Sequence, residues 1–124
     1  MNVAHLVVYE EELANPILAS LAAGGDGSAA VRPNLLAWWE PDAKAIASEP
    51  LDLLVPRLRA ARERHIELVA SFDDAAFNKP VCPVFGARWH EGALHPPGWV
   101  ASKTWQHTLE HGNAVLRAGL FAPR

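Results

Sequence analysis

Apolar residues at helical spacing begin almost at the first residue of the chain. Pro16 interrupts this pattern and predicts a bend or a new turn, because proline has no amide donor and its ring crowds the preceding turn. The glycine-rich stretch 24–28 then predicts the end of the helix. The positions that repeat every three or four residues, and so form one face of this helix, are Leu6, Tyr9, Leu13, Ile17 and Leu21.

A second apolar stripe, in the middle of the chain, is the strongest helical pattern in the sequence. Ser48 and Pro50 are typical of a helix start, with Ser48 as the N-cap. Pro56 lies inside the pattern and predicts either a later start or a kink. The stripe repeats at spacings of three and four through Leu51, Leu54, Leu58, Ala61, His65, Leu68 and Phe72.

The other segments complete an all-α chain that forms a single domain over residues 1–124. Residues 29–49 hold a short helix-compatible run, and residues 73–97 are loop-like because proline and glycine recur there. A last helix is predicted over Trp99–Leu120, and Val81–Phe85 is the only candidate strand. Three substantial helices with shorter pieces predict a helical bundle around one core.

The charge balance argues against a nucleic-acid partner. The chain has 11 Lys and Arg against 14 Asp and Glu, a formal net charge of −3, whereas nucleic-acid binders normally carry a basic footprint. The one dense basic stretch is interleaved with apolar residues at helical spacing, which predicts a solvated helix face. Its members are Arg57, Arg59, Arg62 and Arg64.

The sequence predicts neither a membrane span nor a secretory signal. No stretch approaches the roughly 20 apolar residues that a spanning helix needs, and the N-terminus lacks the positive charge and long apolar run of a signal peptide. Cys82 is the only cysteine, so no intrachain disulfide can form. We therefore expect a cytoplasmic protein in a reducing environment, with Cys82 as a small buried hydrophobe.

Two histidines in the last helix have the spacing of metal ligands. His107 and His111 are four residues apart, which is about 6 Å of helical rise and slightly more than one turn, so both imidazoles leave the same face. Such a pair also arises by chance on amphipathic helices. A catalytic metal site usually needs a third protein ligand, and His5, taken by its position alone, is typical of a solvent-exposed terminal residue.

The order of these features resembles the DinB-like family. The matching residues are Val3-Ala4-His5-Leu6 followed by Tyr9-Glu10, and the run from Trp99 to His111 that contains the histidine pair. The arginine-bearing middle helix, Arg62–Leu68 followed by Ser71-Phe72, is also similar. The resemblance implies an up-down-down-up four-helix bundle that holds one divalent metal ion with three histidines, which in this chain are His5, His107 and His111.

Members of this family usually carry a further helix before the first metal histidine, which here is already residue 5. The resemblance therefore predicts a bundle truncated by one N-terminal helix. This leaves three alternatives open: a miscalled start, a fragment of a longer chain, or a homodimer in which a partner covers the missing side, and we expect the homodimer. It also implies a metal-dependent enzyme of the thiol-transferase or hydrolase type. The metal would be zinc, nickel, iron or manganese, and the substrate a small molecule such as a low-molecular-weight thiol. The alternative is a non-catalytic helical bundle that acts as a small-ligand-binding or dimerisation module.

Several residues are candidates for supporting such a site. Metal-bound histidines usually donate their second N–H group to an oxygen, and the nearest acceptors along the sequence are Glu10, Glu12, Gln106 and Asn113. Candidates for the pocket wall, or for a cover over the open coordination position, are Tyr9, Trp89, His90 and Trp99.

Two further histidine interpretations follow from position. His65 falls on the apolar stripe of the middle helix, which predicts a hydrogen-bonded core histidine. The motif His107-x-x-Glu110-His111 also fits the inverted zincin pattern, in which Glu110 would be the general base. Those peptidases take their third ligand from a downstream glutamate, but no Asp or Glu follows Glu110. We expect Glu110 to face solvent or to lie near the metal without binding it.

Overall fold

Helices make up most of the chain. The computed structural model describes residues 2–30, 35–83 and 93–121. Within those ranges there is no strand, only an isolated bridge between Cys82 and His95, so the all-α prediction is confirmed. In order, the elements are α1 (Asn2–Tyr9), a π-helical segment (Glu10–Ala14), α2 (Asn15–Ala22), a 3₁₀ turn (Ser28–Ala30), α3 (Leu35–Ile46), α4 (Leu51–Ala70), α5 (Asp74–Phe77) and α6 (Pro97–Phe121).

The first helix runs without a break from residue 2 to residue 22, with its irregularity just before Pro16. In the π-helical segment the amide of Asn15 donates to the carbonyl of Glu10, five residues earlier. The disturbance predicted at Pro16 is thus a π turn that leads into the proline rather than a new start. The helix ends at Ala22, and Gly24 follows with a φ of 87°, a conformation that glycine adopts without steric cost.

This N-terminal helix is the centre of the structure. Its α1 portion contacts α3, α4 and α6. All five residues of the predicted face are buried, but so are residues off that face, including Val7, Val8, Ala14 and Leu18. A helix surrounded on several sides buries more than one stripe, so the backbone that carries His5 is fixed by packing.

Helix α3 extends further than the sequence pattern predicts. The helix-compatible run in residues 29–49 becomes a helix of 12 residues with Pro41 inside it. Proline removes one helical hydrogen bond and disfavours the preceding turn. The packing of α3 along α1 supplies tertiary contacts that local sequence rules do not include.

Helix α4 begins differently from the prediction. Its N-cap is Pro50, not Ser48, and no side chain caps the helix; the Pro50 carbonyl instead accepts hydrogen bonds from the first turn. Pro56 lies inside the helix, on its exposed side. Of the predicted stripe, Leu51 is 63% exposed, because the stripe meets the neighbouring helices only beyond the first turn. Its buried members are Leu54, Ala61, His65 and Leu68.

The loop predicted over 73–97 contains one short helix, α5, whose N-cap Asp73 accepts a hydrogen bond from the amide of Ala76 at 2.7 Å. The candidate strand Val81–Phe85 reduces to the bridge at Cys82, and its last two residues lie outside the described ranges. Cys82 is fully buried, as predicted. No helix among the described residues is both long enough and apolar enough to cross a bilayer.

Candidate metal centre

Three histidines from opposite ends of the chain converge at one point. One ligand atom from each of His5, His107 and His111 lies within 4.8 Å of the others. The ring centroids are 5.2 Å apart for His5 and His107, and 4.6 Å apart for His5 and His111. The convergence follows from two helices: α1 carries His5 against α6, on which the other two imidazoles share a face.

The spacing of the imidazole nitrogens suits a single metal ion. The Nε2 atoms of His107 and His111 are 3.1 Å apart. Two nitrogens bound to one tetrahedral zinc at about 2.0–2.1 Å would lie ~3.3 Å apart. The His107–His111 pair is therefore already close to the separation that a shared ion requires.

Asn2 orients His111 toward the cluster. Its side-chain oxygen lies 2.7 Å from Nδ1 of His111. Because this oxygen can only accept, Nδ1 is the protonated nitrogen, and Nε2 keeps its lone pair on the side of His107. Sequence reasoning did not select Asn2. The available signal was its spacing of three residues from His5, which places both on one side of the first helix.

Burial keeps the clustered imidazoles neutral. Desolvation, reinforced by the charges that His111 and His5 would carry, lowers the pKa of His107 to about 4. Desolvation also lowers the pKa values of His5 and His111, while the carboxylates of Glu40 and Glu110 respectively act in the opposite direction. At neutral pH the three rings therefore offer lone pairs instead of positive charges, which is the state that a metal ion needs.

Tyr9 forms the inner wall of the cluster. Its ring centroid lies 4.2 Å from that of His107, and the residue is only 4% exposed. Burial raises the pKa of the phenol, against the opposing effect of the neighbouring Thr104 side chain, so the group stays protonated at neutral pH. Of the two predicted pocket residues that the structure describes, Tyr9 lies against the histidines.

The other predicted pocket residues lie elsewhere or outside the described ranges. Trp99 stacks on His95, with ring centroids 4.1 Å apart. It precedes His107 by eight residues on α6, which corresponds to about 12 Å of helical rise. Trp89 and His90 belong to the residues that the structure does not describe.

The two glutamates predicted to support the histidines face arginines of α4. Glu10 is fully buried and pairs with Arg62, whose Nε lies 3.1 Å from Oε2. The charge of Glu12 contributes to raising the pKa of Arg57, after the larger effects of Glu11 and Glu49. The predicted solvated arginine face is thus divided: Arg57 and Arg62 reach the N-terminal helix, and only the other two are exposed.

The two predicted supports on α6 lie on its exposed side. Gln106 accepts a hydrogen bond from Lys103 at 3.2 Å and donates to Glu110 at 3.3 Å. Asn113 is exposed. Glu110 is exposed as well, which matches the prediction that it faces solvent and gives no support to an inverted zincin arrangement.

Sequence reasoning missed a partly buried polar bridge beside the cluster. Arg62 pairs with Glu10 and also donates from Nη2 to the Thr108 hydroxyl at 2.6 Å. One guanidinium on α4 therefore contacts both the N-terminal helix and α6. Its partner on α6, Thr108, is the residue that follows His107. Partners 46 and 52 residues away along the chain leave no local signal.

His65 has the predicted role of a core histidine. It is 7% exposed, and its Nδ1 lies 3.0 Å from the side-chain oxygen of Asn15. The amide nitrogen of Asn15 in turn donates to the carbonyl of Ala61 at 2.8 Å. These hydrogen bonds hold His65 in the interface between α2 and α4.

An apolar groove lies between α4 and α6. It encloses about 450 Å³, and Arg62, Thr104 and Val69 are among its lining residues. Two apolar side chains on its flanks are largely exposed, Ile66 at 60% and Trp105 at 61%. Exposed apolar surface of this kind marks an interaction site more often than a solvated face.

No family model matches the chain, and no curated protein or solved structure is significantly similar to it.

Proposed function

We propose that this protein binds one divalent transition-metal ion through His5, His107 and His111. The observation that carries the proposal is the convergence of three imidazole ligand atoms within 4.8 Å, from two packed helices. The lowered pKa values and the Asn2 contact agree with it, since both leave neutral nitrogens directed at one point. Three histidines are a ligand set that zinc, nickel, iron and manganese can share.

We further propose that the metal serves a reaction on a small molecule, of the thiol-transfer or hydrolytic type. A divalent ion held by neutral ligands supplies Lewis acidity that polarises a thiol or an oxygen. The chain's own contribution is to hold the imidazoles neutral and oriented, and to close one side of the site with the ring of Tyr9. A low-molecular-weight thiol is the proposed substrate class.

The proposed relationship is to the DinB-like family. The N-terminal helix together with α3, α4 and α6 would form the four-helix bundle. The order of His5 and the later histidine pair supports this assignment, as does the packing of α1 against α6. We also propose a reducing compartment, the cytoplasm, and the single buried cysteine supports this proposal.

Titration calorimetry with zinc, nickel and manganese tests the metal site. We expect one equivalent to bind to the wild type, with manganese weakest, because nitrogen ligands favour the later metals of the series. His107→Ala should lose this binding, whereas His95→Ala, in the bridge that precedes α6, should retain it. Equal metal affinity in the wild type and in His107→Ala would contradict the proposed site.

The groove between α4 and α6 favours a second function, as a dimerisation or small-ligand module. We propose a homodimer through this groove, because Ile66 and Trp105 leave an apolar surface uncovered. Sedimentation at micromolar concentration should give a dimer for the wild type and a monomer for Trp105→Glu. Leu51→Glu is the matched control, since Leu51 is equally exposed but lies away from the groove. A monomeric wild type would contradict the proposal.

A further inference from the structure

The proposed metal site depends on the relative position of two helices, because binding residues must be held within about 0.5 Å of their productive geometry. His5 lies on α1, and His107 and His111 lie on α6. Among the described residues, the polar connections between the N-terminal helix and α6 beside the cluster include the following two. One is the contact between Asn2 and His111 at the helix start. The other is the bridge through Arg62, which lies deeper in the structure.

Arg62 makes this bridge from the neighbouring helix α4. Its guanidinium pairs with both carboxylate oxygens of Glu10, one at 3.1 Å from Nε. Glu10 follows Tyr9, which packs on His107, and is fully buried. The same guanidinium donates to the Thr108 hydroxyl at 2.6 Å, and Thr108 donates to the carbonyl of Thr104 at 2.9 Å.

We propose that Arg62 is a positioning residue of the metal centre, which sets the register of the His5 helix against the helix of His107 and His111. This inference rests on the proposed metal site. Its basis is that one planar, permanently charged group holds a residue of each ligand-bearing helix at hydrogen-bond distance. A lysine has a single ammonium on a flexible stem and cannot hold both partners in the same fixed geometry.

A different arginine of the same helix provides the contrast. Arg57 also pairs with the N-terminal helix, through Glu11 at 2.7 Å, and with Glu49 at 3.7 Å. Neither of these partners is on α6. The loss of Arg57 should therefore loosen the contact of α4 with the N-terminal helix without changing the relation between His5 and the histidine pair.

Cobalt(II) titration, followed by visible absorption, tests the proposal, because the cobalt spectrum reports the ligand geometry directly. Thr108→Val removes the hydroxyl that Arg62 contacts but keeps the buried Glu10–Arg62 pair and the shape of the side chain. We expect it to bind cobalt about tenfold more weakly, within the range typical of lost supporting contacts, and with a shifted spectrum. Arg62→Lys should show the same direction of change.

Two matched variants should retain the wild-type affinity and spectrum. Thr108→Ser keeps the hydroxyl, and Arg57→Gln removes an arginine of α4 that does not reach α6. Wild-type binding and spectrum in both Thr108→Val and Arg62→Lys would overturn the positioning role while leaving the metal site intact. A wild type that binds no cobalt would instead overturn the metal site itself, and the positioning role with it.

Discussion

Two histidine environments in the described structure differ: His65 is buried, whereas His5, His107 and His111 are half-buried. His65 lies in the interface of α2 and α4, where the side-chain oxygen of Asn15 is 3.0 Å from its Nδ1. His5, His107 and His111 pack against one another, and the two on α6 have their Nε2 atoms 3.1 Å apart. Desolvation is the largest cause of a lowered pKa in both regions.

The difference lies in what the imidazoles face. Nδ1 of His65 is joined to an amide that is itself hydrogen-bonded to a backbone carbonyl, so this nitrogen belongs to a network of protein groups. The three clustered rings instead face one another, with one ligand atom of each within 4.8 Å of the others. Their lone pairs are therefore directed toward a common point. Desolvation and a lowered pKa are thus common to a structural histidine and a candidate ligand histidine. The two kinds are distinguished by the groups that their ring nitrogens face.

The largest expected effect is the stabilisation of the folded protein by zinc, which should depend on the clustered histidines and not on His65. With free zinc at about 100 times its Kd, the wild type should gain about 2.7 kcal/mol in the free energy of unfolding. His5→Ala should abolish this gain because it removes one of three ligands, whereas His65→Ala should keep it. Urea unfolding with zinc and with a chelator measures the gain. The same increment in His5→Ala would show that His5 is not a ligand.

The second effect concerns His65 alone. His65→Ala leaves the buried oxygen of Asn15 without this contact, which should cost about 1–3 kcal/mol in metal-free protein. Its affinity for zinc should equal that of the wild type. Chelator-treated urea unfolding measures the first quantity and calorimetry the second. A variant that binds zinc more weakly would mean that the two regions are coupled.

The third effect tests the orientation of His111. Asn2→Ala removes the acceptor beside Nδ1 and should weaken zinc binding about tenfold, or roughly 1.4 kcal/mol. Asn2→Asp supplies a carboxylate acceptor in the same place and should bind at least as tightly as the wild type. Calorimetric affinities of the three proteins decide the point. Equal zinc affinities for Asn2→Ala and the wild type would show that the contact of Asn2 with His111 does not support metal binding.

Local spacing explains how much of this arrangement the sequence could reveal. The interval between His107 and His111 predicts a shared face because helical geometry alone determines it. The same reasoning identified His65 as a core residue from its place on an apolar stripe. His5 has no such local signal, and only the resemblance to a family made it a candidate.

The parts that sequence reasoning missed depend on contacts between distant segments. The bridge from Glu10 through Arg62 to Thr108 joins three helices, and each residue taken alone is typical of an ordinary helix surface. Helix α3 forms through Pro41 because it packs on α1. Spacing rules describe one helix at a time, so neither feature was predictable from them.

The smallest expected effect is the pH dependence that His65 contributes to stability. Its pKa is lowered in the folded protein from the usual 6.5, mainly by burial, with Glu10 acting to raise it and Arg62 to lower it. The unfolded chain therefore binds more protons as the pH falls through 6.5, and His65 weakens the folded state until the lower folded pKa is passed. His65→Gln cannot titrate, so the difference in stability between the wild type and this variant should shift against the wild type between pH 7.5 and pH 5. Metal-free urea unfolding at these pH values measures the shift, and subtracting the two proteins cancels the contribution of the other histidines. A constant difference across this range would mean that His65 is protonated equally in the folded and unfolded states, which would remove its contrast with a solvent-exposed histidine.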